Sequence, residues 1–164
     1  MFFPILYIII LLIIAIYIIS LLLYIVGNFI SPTISKKKEL LPISVIVAVK
    51  NGEKSLPNIL SDLKNQTYNG ICEYILVDDE STDNTKKIIQ ELAQKNQKFK
   101  YTSSVNGNNK LFFKKRALDA GIKIPNYDVL IFTDVDCRLK STWLASMANC
   151  FNKNVDYVIG CSQI

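Results

Sequence analysis

ISVIVAV, Ile43 to Val49, is a continuous run of β-branched and aliphatic residues broken only by Ser44. It lacks the polar–apolar alternation of a strand with one wet face, so it reads as a strand covered on both sides, as in a parallel sheet. Lys50-Asn51-Gly52-Glu53 follows as a turn. Ser55 to Gln66 then places Leu56, Ile59, Leu60 and Leu63 at i, i+3, i+4 and i+7, one apolar helical stripe.

The same alternation continues toward the C-terminus. Tyr74 to Val77 reads as a second buried strand. Thr85 to Asn96 reads as a helix with Ile88, Ile89, Leu92 and Ala93 on one side, and Asp83 or a neighbouring Ser or Thr can cap its start. Phe99 to Ser103 is a third strand and Val105 to Asn109 a Gly/Asn loop. Phe112 to Ala120 is a helix ended by Gly121, and Val129 to Thr133 a fourth strand. Ser141 to Phe151 is a helix with Trp143, Leu144, Met147 and Ala148 on its apolar face, and Tyr157 to Ile159 begins a further strand. Strand alternating with helix predicts an α/β fold, a mainly parallel sheet sandwiched by helices with right-handed crossovers.

Upstream, the composition changes. Met1 to Ile30 contains no charged residue, and Met1 to Val26 is dominated by Ile, Leu, Tyr and Phe. As a helix this run spans ~39 Å, more than the ~30 Å of bilayer hydrocarbon, so 1–30 is expected to be a transmembrane anchor. A cleaved signal peptide fits poorly: no basic n-region precedes the run, and no small-x-small site follows it. Residues 31–41 read as a short polar linker, and 42–164 as the soluble domain. Lys36, Lys37 and Lys38 beside the anchor favour a cytoplasmic soluble part on a single-pass plasma (inner) membrane protein. Cys72, Cys137, Cys150 and Cys161 form no C-x-x-C pair, and the chain has no His to complete a zinc site, so reduced thiols are expected.

All of the net charge of +5 lies outside the anchor. It suits anionic lipid head groups or a phosphate-bearing substrate. Nucleic acid is disfavoured, because the lysines do not cluster with aromatics on one face.

In such sheets ligands lie beyond the carboxyl ends of the strands. Four segments are expected there: Lys50 to Glu53, VDDESTDNT (Val77 to Thr85), Lys110 to Arg116, and Thr133-Asp134-Val135-Asp136. Asp134 and Asp136, two apart in extended chain, can point the same way and offer two hard oxygens to Mg²⁺ or Mn²⁺. Taken alone they read more readily as a solvated turn after a strand, since roughly half a D-x-D is expected by chance in a chain with this much Asp. Asp78 and Asp79 repel one another unless hydrogen-bonded or cation-paired, and a base edge or ribose could supply donors; helix capping is the other reading. Lys114, Lys115 and Arg116 at a helix start oppose the macrodipole, which a bound anion would relieve; a solvated basic face is the alternative.

Taken in order, ISVIVAVKNGE, NQTY, VDDESTDNT, KKRALDAGI and DVLIFTDVDC resemble family 2 glycosyltransferases, inverting enzymes of the GT-A fold that use nucleotide-diphosphate sugars. The resemblance runs from Pro42 to Ile164. It implies that Asp78 and Asp79 meet the nucleotide base and ribose, and that Ala48, Val49, Lys50, Asn51 and Glu53 form the loop around the base. It implies that Lys114 contacts the donor diphosphate, and that Asp134 and Asp136 form the D-x-D pair with Asp136 on the metal, Mg²⁺ or Mn²⁺. Many members have Pro and Tyr where this chain has Ala48 and Lys50, so the base is left open. The family's general base, an acceptor-side Asp, lies downstream of the strand near Tyr157, and no residue here takes its place. The expectation is an anchor plus the donor-binding half of an enzyme acting on a glycan or lipid acceptor, with little transfer by these residues alone. The competing expectation is a non-catalytic, membrane-anchored protein that binds a nucleotide sugar or a partner subunit.

Overall fold

The computed structural model describes residues 2–29, 40–151 and 155–160. The chain divides into two compact units, 1–34 and 35–164. The described part of the first is a helix, α1, Phe2–Phe29, with no polar face. Its Pro4–Gly27 portion is long and apolar enough to cross a membrane, and its side chains are exposed throughout. Pro4 falls in the first turn, where its missing N–H breaks no helical hydrogen bond. Lys36 to Lys38, Cys161 and all of the 31–41 linker except its last two residues lie outside the described residues.

The second unit is an α/β layer structure. Strands β1 (Ile43–Val49), β2 (Cys72–Asp78), β3 (Phe99–Ser103) and β4 (Val129–Asp134) form one parallel sheet in the order β3-β2-β1-β4. Helices α2 (Leu56–Lys64), α3 (Thr85–Lys95), α4 (Lys114–Gly121) and α5 (Trp143–Ala148) connect or follow them. Alternate residues of β1 feed two cores. Ile43, Val45, Val47 and Val49 pack with Leu56, Ile59 and Leu63 of α2, Ile89 of α3, and Leu144 and Ala148 of α5. Ile46, on the opposite face, packs with Ile75, Val77 and the small residues Ala117 and Ala120 of α4. Burial on both faces is what the unbroken apolar run of β1 predicts.

Four expectations need correction. The helix expected from Phe112 begins at Lys114, because Phe113 takes a positive φ that no helix accommodates. Gly121 does not end that helix from outside but is its last residue. A Cβ there would come within 2.7 Å of Ile46 Cγ2 and 3.0 Å of Val77 Cγ2, so glycine is set by close approach to the sheet rather than by a left-handed cap. The strand expected at Tyr157 to Ile159 is absent: residues 157–160 have no regular structure, and both side chains are largely exposed. The helix expected over 141–151 is shorter, with isolated turns at its ends.

Two buried carboxylates brace the sheet. Glu73 accepts from Ser44 Oγ (2.6 Å), the Asn126 N–H (2.7 Å) and Lys100 Nζ (2.7 Å). Burial alone would raise its pKa, but these donors outweigh that and hold it below the usual range. Asp62 on α2 accepts from Arg138 Nε (2.8 Å) and Nη2 (3.1 Å) and from the Leu139 N–H (2.9 Å). The Arg138 bond lowers its pKa more than burial raises it.

Candidate functional site

β1 and β4 are adjacent, but the chain runs β1, β2, β3 in one direction before returning past β1 to β4. The carboxyl ends of β1 and β4 are therefore a topological switch point, where open α/β sheets leave a crevice. A cleft of about 500 Å³ opens there, walled by Ala48 to Gly52 at and after the end of β1, Asp79 after β2, Phe113-Lys114 at the start of α4, and Asp134 to Asp136 at and after the end of β4. Sequence reasoning placed Ala48, Val49, Lys50, Asn51, Asp79, Lys114, Asp134 and Asp136 at one site, and all eight line this cleft.

Asp78 and Glu53 do not line it, and both have structural partners instead. Asp78 is buried and accepts from the Ser81 N–H at 3.3 Å. Glu53 accepts from the Asn84 N–H (3.2 Å) and Asn84 Nδ2 (2.8 Å). That pair belongs to a ladder joining the loops after β1 and β2. The N–H groups of Asn51, Gly52 and Glu53 donate to Ser81 Oγ (2.9 Å), Thr85 Oγ1 (2.8 Å) and Asp83 Oδ2 (3.1 Å). Asn51 Oδ1 in return accepts from the Thr82 N–H at 2.8 Å. Asp83, one residue before the N-cap Asn84, accepts the Thr85 N–H on Oδ1 at 3.0 Å and so satisfies one donor of the first turn of α3; no side-chain bond is made by the N-cap residue itself. Thr85 hydrogen bonding is the main cause that holds the Asp83 pKa low. The hydroxyl-rich STDNT segment therefore shapes the loop beside it. Asp79 is anchored through its own N–H to Val49 O (2.8 Å), while its carboxylate has no partner among the described residues.

On the other flank, β4 ends at Asp134 and the chain turns, with the Cys137 N–H donating to Asp134 O at 3.3 Å. Asp134 and Asp136 thus reach the cleft across a turn rather than along extended chain. Lys114 Nζ lies 2.5 Å from Asp134 Oδ1, and both side chains are about half exposed. This ion pair supplies the negative charge that cations at the start of α4 require. Behind the turn, Asp62 holds Arg138 and Leu139. Gln66 accepts from the Leu144 N–H (2.9 Å) and donates to Lys140 O (3.0 Å), and the Thr67 N–H donates to Ser141 O (2.8 Å). The NQTY segment therefore anchors the chain that follows Asp136.

Gly52, Phe113 and Val135, which fall in the segments expected at the strand ends but were given no role there, also line the cleft, as does Ser55, which was not foreseen. Phe113 carried no signal, because the apolar pattern placed it inside a helix. Among the described residues no group of three His, Cys, Asp or Glu side chains could hold a metal. The donor set on the β4 flank of the cleft is two carboxylates, Asp134 and Asp136, the first engaged with Lys114. That fits a hard dication whose remaining ligands are phosphate oxygens and water, rather than an all-protein cage.

The sequence model of glycosyl transferase family 2 matches residues 44–164. The chain is 35% identical over 99 residues to the 4,4'-diaponeurosporenoate glycosyltransferase of Staphylococcus haemolyticus, covering 60% of this chain and 25% of that one. It is 29% identical over 115 residues to the beta-monoglucosyldiacylglycerol synthase of a Nostoc species, covering 68% and 24%. The chain spans about a quarter of the length of these curated relatives. Among solved structures, S. aureus TarS 1-349 in complex with UDP superposes with a TM-score of 0.52 at 26% identity, covering 66% of this chain and 31% of that one. The same protein in complex with UDP-GlcNAc gives 0.52 at 27%, covering 66% and 30%.

Proposed function

The chain belongs to glycosyl transferase family 2, and from that premise we propose that its cleft binds a nucleoside-diphosphate sugar for inverting transfer to a glycan or lipid acceptor at a membrane. The observation that carries this is the convergence of Asp79, Lys114, Asp134 and Asp136, from three strand ends and one helix start, on one crevice at the switch point. Asp79, buried and without a partner among the described residues, accepts from ribose hydroxyls or a base edge. Lys114 exchanges Asp134 for the diphosphate, a swap of one anion for another that keeps the start of α4 neutralised. Asp136, aided by Asp134, would hold Mg²⁺ or Mn²⁺, which when bound offsets the charge of the diphosphate leaving group. The acceptor hydroxyl attacks the anomeric carbon in line; the new C–O bond forms as the bond to the diphosphate breaks, and the configuration inverts. The proton of the attacking hydroxyl passes to an acceptor-side carboxylate acting as general base, a role assigned to none of the carboxylates at the cleft.

The relatives named above include a beta-monoglucosyldiacylglycerol synthase, whose name contains a diacylglycerol, which supports a lipid acceptor. The helix α1 supports attachment to a bilayer, and Lys36 to Lys38, which follow it in the sequence, favour a cytoplasmic side for the rest of the chain. Titration calorimetry of the full chain with UDP- and GDP-sugars, with and without Mn²⁺, tests the reading. Metal-dependent binding is expected, and heats that are nil for every sugar nucleotide would exclude it.

A further inference from the structure

Phe113 is out of place by two independent measures. Its backbone sits at φ 53°, ψ −143°, a region that residues with a side chain rarely adopt and that stores strain. Its ring is 78% exposed, so no burial in this unit offsets that strain. The backbone of Phe113 has a local task, since its carbonyl accepts from the Arg116 N–H (2.9 Å) and the Ala117 N–H (3.3 Å) to start α4. Glycine would perform that task without strain. Only the side chain is left unexplained, and it lines the cleft beside Lys114.

The sheet fixes which end of the cleft this is. β1 pairs with β2 on one side and β4 on the other, so Asp79 and Asp134 flank it, about 10 Å apart by strand spacing. Phe113 belongs to the Asp134 flank, because Lys114 Nζ touches Asp134. If the diphosphate lies between Lys114 and Asp136, the group it carries lies next to the ring. We propose that Phe113 is a specificity-determining residue whose ring is a platform for the apolar C–H face of the donor's sugar. This rests on the donor reading above. A hexopyranose presents one face of C–H groups with hydroxyls at its rim, and a rigid aromatic side chain covers such a face without demanding hydrogen bonds.

The test compares the wild-type chain with Phe113→Gly and Phe113→Tyr, titrated with Mn²⁺ and UDP, UDP-GlcNAc, GDP or GDP-mannose, alongside thermal melts. Phe113→Gly should weaken binding of the nucleotide sugar roughly three- to tenfold. It should leave the bare nucleoside diphosphate within about twofold and should not lower the melting midpoint, since strain is relieved. Phe113→Tyr should keep the wild-type preference for the sugar-bearing form. Equal weakening of nucleotide and nucleotide sugar, unchanged binding of both, or a midpoint that falls together with affinity would each overturn the assignment. Wild-type chain that binds none of the four would overturn the donor reading itself, and this inference with it. Wild-type binding that Phe113→Gly leaves intact overturns this inference alone.

Discussion

The two flanks of the cleft are built differently. On the β2 side, two loops are laced together by hydrogen bonds from Asn51, Gly52 and Glu53 to Ser81, Thr85 and Asp83, and little there can move singly. On the β4 side, Asp134 and Asp136 stand exposed on a turn held in front by one ion pair and from behind by Asp62 and Gln66. A half-exposed ion pair contributes little to stability, ~0–1 kcal/mol, because water and salt screen it. The rigid flank suits a part of the ligand common to every turnover. The looser flank suits a part that changes charge and leaves.

That contrast can be broken at several points. Asp136→Ala should remove the metal dependence of nucleotide-sugar binding, with affinity falling on the order of 100-fold, while the thermal midpoint stays within about 2 °C; these magnitudes rest on the loss of a dication–phosphate contact at an exposed position. Calorimetry with and without Mn²⁺ measures it, and persistence of metal-dependent affinity would remove Asp136 from the site. Next in size is Thr85→Val, which deprives the buried Gly52 N–H of its acceptor and should cost about 1–3 kcal/mol in urea unfolding. Were that variant as stable as wild type, the lacing of the β2 flank would be incidental.

Acid separates the scaffold from the cleft. Asp62 and Glu73 both have folded pKa values below their ordinary 3.8 and 4.5. Their stabilisation is therefore complete above those ordinary values and is lost as pH falls through the lower folded ones. The Glu73→Gln variant should be less stable than wild type at neutral pH, and the gap should narrow as pH falls below 4.5. A gap that stays constant down to pH 3 would contradict the bracing role. The smallest stability effect is expected for Lys114→Ala, less than about 1 kcal/mol. Its nucleotide-sugar affinity should nonetheless fall several-fold, because the lost cation faces the diphosphate. A large stability loss here would show that the β4 flank is as rigid as its counterpart.

The sheet was readable in the sequence because burial on both faces writes itself as an uninterrupted apolar run, and ISVIVAV carries that signal without ambiguity. Helices α2 and α3 were readable from their stripes. Tyr157 to Ile159 misled for the same reason: a short apolar triplet is compatible with a strand, but pairing is a long-range event that no local pattern encodes. At the cleft, the carboxylates and Lys114 could be found only from the order of their motifs along the chain, because each alone also reads as a solvated turn, a helix cap or a solvated face. Asp78 and Glu53 looked alike in sequence to Asp79 and Asn51. What separates them is the direction of the side chain, set by loop-to-loop hydrogen bonds. The second anchor, Asp62 and Gln66 holding the stretch after Asp136, joins residues more than seventy positions apart and has no local signature.

Gly121 sits at the end of α4 opposite Lys114, about 10 Å along the axis for a helix of this length. Its contact with Ile46 and Val77 leaves no room for a methyl group, so any larger residue tilts the helix off its seat. Because the axis is stiff, such a tilt acts as a lever whose other arm carries Lys114. A hydrocarbon added beneath the sheet would be felt at the mouth of the cleft as a misplaced ammonium, a remote lesion with the phenotype of a local one.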